Sequence, residues 1–125
     1  ILKKSLLELA EIHEVSVINI NYIFCDDEYL LEINKQYLNH DFYTDIITFP
    51  YKEGKEIEGE IFISIDRVKD NAIKQKTSIE SELFRVISHG MLHLIGFNDK
   101  NPSQKKKMRI EENKAIELFY SNFGF

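Results

Sequence analysis

One cysteine, two prolines, five glycines and no tryptophan are all that this 125-residue chain holds of those residue types. A lone Cys25 excludes an intramolecular disulfide and any cysteine-built zinc module. So little Pro and Gly, beside 43% hydrophobic and 30% charged residues, excludes collagen-like, linker-like and disordered chains, which lack the apolar content to offset ordering entropy. Long apolar runs are missing too. The longest, Val15 to Cys25, holds a serine and two asparagines and is too short to cross a bilayer. No signal peptide is visible, and because the chain opens on Ile1 rather than Met, a few N-terminal residues are expected to be absent from it. Basic charge is the scarcer sign, 16 Lys and Arg against 21 Asp and Glu, for a net charge of −5. That argues against a nonspecific coat on nucleic acid but leaves room for a local basic groove. Lys3-Lys4, Lys74 with Lys76, and Lys105-Lys106-Lys107 with Arg109 are the patches available, each by itself an ordinary solvated helix face. The expectation is a single reduced, soluble, intracellular domain over residues 1–125, monomeric or weakly oligomeric, with no membrane partner.

What is present orders itself by periodicity. Leu6, Leu7, Leu9 and Ala10 at helical spacing predict a helix over Leu2 to His13. Val15 to Cys25 reads as a strand with Ile18, Ile20, Tyr22 and Phe24 on one face and Asn19 and Asn21 on the other. Asp26-Asp27 caps a helix from Glu28 to Leu38. Asp45 to Phe49 is a β-branched run stopped by Pro50, the charged stretch Tyr51 to Ile57 with Gly54 suits a loop, and Glu60 to Ile65 alternates with Ile61, Ile63 and Ile65 together. Three helices follow: Asp66 to Lys76, one opened by the capping box Thr77-Ser78-Ile79-Glu80 and stopped at Gly96, and one capped by Asn101-Pro102. The order α-β-α-β-β-α-α-α predicts an α/β (α+β) fold, a small mixed sheet with helices packed against it.

The string that carries chemistry is His89-Gly90-Met91-Leu92-His93-Leu94-Ile95-Gly96-Phe97-Asn98-Asp99. Residues four apart on a helix lie side by side, so His89 and His93 can share one metal ion. The apolar stripe of Leu83, Ile87, Gly90 and Leu94 places both histidines at its edge, where a cleft would lie. Gly96 permits the chain to reverse, which can bring Asp99 back to the pair. Two histidines and an aspartate make a three-ligand set with one position left for water, whereas structural zinc sites close all four. Taken singly each element is weak: an i,i+4 histidine pair arises by chance, and a lone Asp is an ordinary loop cap. The zinc-peptidase pattern HExxH needs a glutamate directly after the first His, and here that position is Gly90.

This helix string closely resembles the signature of the YbeY family, bacterial metal-dependent endoribonucleases of ribosomal RNA maturation. Asn34-x-x-Tyr37 followed by Asp41, then Thr44-Asp45-Ile46-Ile47-Thr48-Phe49-Pro50, and Gly59-Glu60-Ile61 are similar to further motifs of the family, so the resemblance covers roughly residues 15–120. It implies a zincin-like α/β fold, cytoplasmic location, one divalent metal ion, zinc by expectation, and single-stranded RNA or rRNA on the ribosome as substrate. Two positions depart from the pattern. Asp99 stands where the family commonly has a third His, and aspartate is itself a competent zinc ligand. Leu38 stands where many members carry an Arg implicated in activity.

Candidate residues behind the metal ligands are Glu60, His40 and Arg85, and no substrate-binding residue is assignable from the sequence. Tyr22, Tyr37, Tyr43 and Tyr51 are open to base stacking or to core and rim packing. Two other functions stay in view. One is a zinc hydrolase of a peptide or small amide, with the strand Asp45–Phe49 docking an extended chain, against which Gly90 counts. The other is a non-catalytic ribosome-associated module whose metal stabilises the fold, kept open by Leu38.

Overall fold

In a computed structural model, which describes residues 2–124, the chain forms the elements in the expected order. They are α1 (Leu2–Ile12), β1 (Ser16–Cys25), α2 (Asp27–Leu38), β2 (Ile46–Lys52), β3 (Glu56–Ser64), α3 (Ile65–Gln75), α4 (Ile79–Ile95) and α5 (Pro102–Phe123). The sheet is mixed, in the order β1-β3-β2, with β1 parallel and β2 antiparallel to the central β3.

Strand β3 organises the molecule because its residues alternate between two apolar layers. Ile57, Ile61 and Ile63 are fully buried in a layer shared with Ile87, Met91 and Leu94 of α4, Leu9 of α1 and Phe119 of α5. Phe62 faces the other way, into a smaller cluster with Leu30 and Ile33 of α2 and Ile47 of β2. Two glycines set the distance between α4 and the sheet. A Cβ on Gly90 would stand 2.9 Å from Ile46 Cδ1 and 3.0 Å from Ile61, and one on Gly59 would stand 2.8 Å from the Phe49 carbonyl oxygen. At Gly90 the helix therefore approaches the sheet to a distance that only hydrogen permits, and at Gly59 Leu94 of α4 would stand 3.2 Å from an added Cβ.

Several boundaries differ from expectation, each for a local reason. Strand β2 runs through Pro50 to Lys52 because it is a sheet edge, where a missing N–H costs no ladder bond; the register slips just after Pro50. The stretch Tyr51 to Ile57 is a tight hairpin rather than a loop, turning at Gly54 with φ 97°, and β3 begins at Glu56. Ile65 leaves the strand and opens α3, whose N-cap is Ser64. The N-cap of α4 is Ser78, which accepts from Ser81 N–H, rather than Thr77. In β1 an irregularity between Val17 and Asn19 turns Ile18 outward, so Val17, Ile20 and Tyr22 meet the core while Ile18 and Phe24 stay about half exposed.

Candidate metal centre

Helix α4 ends where its chemistry is wanted. The Gly96 N–H bonds back to the carbonyls of Leu92 and His93, and its φ of 126° turns the chain out of the helix. Asn98 and Asp99 then return along the open side of α4, before Asn101 caps α5. His89 and His93 project side by side with ring centroids 4.5 Å apart and planes at 84°. Their Nε2 atoms are 2.9 Å apart, and the Asp99 carboxylate oxygens lie 3.4 Å from His89 Nε2 and 3.6 Å from His93 Nε2. Among the described residues this is the one group of three or more His, Cys, Asp or Glu side chains whose ligand atoms converge, all within 4.8 Å.

The imidazole tautomers follow from what stands behind them. Glu112 of α5, buried at 5% exposure, accepts a 2.6 Å hydrogen bond from His89 Nδ1–H, while its other oxygen accepts from Arg85 at 3.0 Å. Burial pushes the Glu112 carboxyl up, but the His89 bond and the Arg85 guanidinium outweigh it and hold it below the usual range. A carboxylate only accepts, so the proton sits on Nδ1 and the His89 Nε2 lone pair faces the cleft. Burial alone would lower the His89 pKa; the bond to Glu112 and the charges of Glu112 and Asp99 reverse this, and the net direction is up. His93 goes the other way, lowered by burial and by the neighbouring His89 charge, while the Asp99 charge and a backbone hydrogen bond at Phe97 oppose both.

This arrangement tests whether a cation fits. Two imidazole nitrogens and a carboxylate aim acceptors at one point, which is unfavourable unless a positive charge is shared there. Bonds of about 2.0–2.1 Å in a tetrahedral zinc site place ligand atoms about 3.3 Å apart. The two Nε2 atoms at 2.9 Å, with one Asp99 oxygen 3.4 Å from His89 and the other 3.6 Å from His93, lie close to that spacing, so the residues fit a metal ion after small side-chain adjustment.

The other sequence candidates separate. His40 lines a cavity of about 510 Å³ that His89, His93 and Asp99 also line, with its ring stacked on Phe42 at 5.1 Å; Leu38 borders the same cavity. Arg85 stands behind His89, committed to Glu112 and, at 3.8 Å, to Glu82. Glu60 is a correction: it points away from α4 on the opposite sheet face and accepts a hydrogen bond from Tyr51. Because Ile61 and Ile63 face α4, the period-2 rule sends Glu60 and Phe62 to the other side. Asp45, which also borders the cleft, is partly buried; burial raises its carboxyl pKa, the His89 charge opposes the shift, and Asn71 donates to it at 3.3 Å. Tyr22 belongs to the core, its hydroxyl donating to the Ile87 carbonyl, while Tyr37 and Tyr51 line a separate groove with Glu60. Tyr43 donates to Glu28. Glu112 escaped the sequence reading, although a signal was there: it falls on the buried stripe Met108, Ala115, Ile116 and Phe119 of α5, where a charge needs a buried partner.

Fold and site together define a class, a small α/β protein of zincin-like kind able to hold one metal ion beside an open cleft. The family model described as Endoribonuclease YbeY matches residues 1–120. A Cytophaga hutchinsonii protein named Endoribonuclease YbeY is 52% identical over 111 residues, covering 88% of this chain and 78% of the relative. One of the same name from Flavobacterium psychrophilum is 54% identical over 101 residues, 81% of this chain and 72% of the relative. The solution structure of TM1509 from Thermotoga maritima superposes with a TM-score of 0.75 at 32% identity, covering 98% of this chain and 81% of that one. The chain belongs to the Endoribonuclease YbeY family, and hydrolysis of RNA is the activity that membership carries.

Proposed function

We propose that this chain is a single-strand-specific, metal-dependent endoribonuclease of rRNA maturation, in which His89, His93 and Asp99 hold one zinc ion. Convergence of two imidazole nitrogens and a carboxylate on one point at the mouth of an open cleft carries the reading. When bound, the ion supplies Lewis acidity towards a phosphodiester and acidifies water. The protein's own groups do the rest. Glu112 keeps the His89 Nε2 lone pair aimed at the cleft, and Arg85 keeps Glu112 ionised. His40, which lines the same cavity, is the candidate for proton transfer. Gly90 packs against Ile46 and Ile61 and has no room for the glutamate a zinc peptidase would place there, which disfavours peptide or amide hydrolysis. The proposed setting is the cytoplasm, as a single domain over residues 1–125, monomeric or weakly oligomeric, working on ribosome-associated RNA. No described helix is long and apolar enough to cross a membrane.

The test is cleavage of a single-stranded RNA by purified protein, with metal content followed by elemental analysis. Zinc near one ion per chain is expected, with cleavage lost on chelation and in His93→Ala. Asp99→Ala should lose metal and Asp99→His should keep it. Equal cleavage by the His93→Ala preparation would identify a contaminating nuclease and overturn the reading.

A further inference from the structure

The cleft that holds His40 has no lysine or arginine in its walls; its charged neighbours are the carboxylates Asp45, Glu53 and Asp99. With Leu38 on that wall and Arg85 consumed by Glu112 and Glu82, nothing there offers a cation to a phosphate. On the other side of the same two residues, His89 and Asp99, a second groove of about 410 Å³ runs against the start of α5. Lys105, Lys106 and Arg109 line it, all exposed. Two carboxylates share the groove: Glu112 is bonded to His89 and Arg85 and pairs with Arg109 at 3.8 Å, and Asp99 faces His89 and His93, so Lys105 and Lys106 are the cations with no ion-pair partner among the described residues. Lys105 and Arg109 are one helical turn apart and so share a face of α5. The metal centre thus sits at a junction between a groove that carries the unpaired Lys105 and Lys106 and a cleft that carries an exposed stacked ring pair, His40 on Phe42.

We propose that single-stranded RNA straddles the metal centre, its phosphates gripped on the α5 side by Lys105, Lys106 and Arg109 and a base stacked against Phe42 on the other. The inference rests on the endoribonuclease reading and deepens it. Phosphate contacts bring counterion release, so affinity falls with salt at about 0.7 per neutralised phosphate on a log–log plot for single strands. Stacking adds affinity that salt leaves untouched. One acidic chain can in this way bind a polyanion through a basic groove while its overall charge stays at −5.

The experiment uses a short fluorescein-labelled oligoadenylate, with KM and kcat measured for the metal-loaded protein across a salt series. Binding is read by anisotropy in the His93→Ala background. The Lys105→Gln/Lys106→Gln pair, on the exposed face of α5, should raise KM about tenfold, leave kcat and metal content unchanged, and flatten the salt slope by about 1.4. Phe42→Ala should raise KM several-fold with the slope intact. Lys3→Gln/Lys4→Gln, whose lysines border neither groove, should behave as wild type. If the wild-type protein does not cleave the oligonucleotide, the endoribonuclease reading itself fails. Wild-type KM and slope in the α5 pair, beside normal wild-type cleavage, would overturn the groove alone, as would a fall in kcat at unchanged KM.

Discussion

Two carboxylates, one on each side of the sheet, show how differently the same chemical group is used. Glu60 lies in an exposed aromatic groove with Tyr37 and Tyr51, and its partner is a phenol that water could replace. Glu112 is buried between α4 and α5, bonded to an imidazole and a guanidinium, and no water-exposed alternative is open to it. The first contact contributes little to stability and orients nothing. The second fixes a tautomer, because in a low-dielectric setting each member is costly without the others.

Removing Glu112 should therefore have the largest effect. Glu112→Ala leaves Arg85 and His89 without their buried partner and should cost about 3–5 kcal/mol of stability by denaturant unfolding. Glu112→Gln is the milder variant; competition with a chromophoric chelator should show metal affinity reduced about 10–100-fold. Glu60→Gln should move neither quantity, and an equal loss of metal there would erase the contrast between the two faces. A smaller effect is expected where the α4 face meets the sheet. Gly90→Ala forces a methyl against Ile46 and Ile61 and should cost about 1–3 kcal/mol, seen as a lowered Tm.

The smallest effect runs in the opposite direction. Glu82 is 3% exposed, and its Oε1 has no hydrogen-bond partner among the described residues, with Arg85 Nε 3.8 Å away. Burial raises its carboxyl pKa, against the opposing charge of Arg85. A raised folded-state pKa means that ionisation costs stability, so the cost grows as pH rises above the unfolded-state value of about 4.3. Glu82→Gln should stabilise the protein by about 1 kcal/mol at neutral pH, and the gain should vanish as pH falls through the carboxylate range. Urea unfolding at several pH values checks this; a gain that persists in acid would show that charge is not the cause.

Much of this molecule was legible from its residues. The order of eight elements, the mixed sheet and the helix cap at Gly96 followed from periodicity and punctuation, since these depend on neighbours in the chain. Boundaries at Pro50 and Gly54 were missed because only the sheet shows that β2 is an edge. The placing of His89 beside His93 came from helix geometry alone, a one-turn repeat that any tertiary structure would preserve.

The return of Asp99 needed more than Gly96, which permits a reversal without directing it; the docking of α5 against α4 decides where the loop comes back. The Glu112–His89–Arg85 network, 23 to 27 residues apart in the chain, is likewise a product of helix packing. So is the division of the surface into a basic groove and a ring-lined cleft, since sequence spacing sets which residues share one element's face and only the packing of elements sets which faces meet. Local order is written in short-range sterics and hydrogen bonds, whereas a site assembled from separate helices exists only once burial has brought them together.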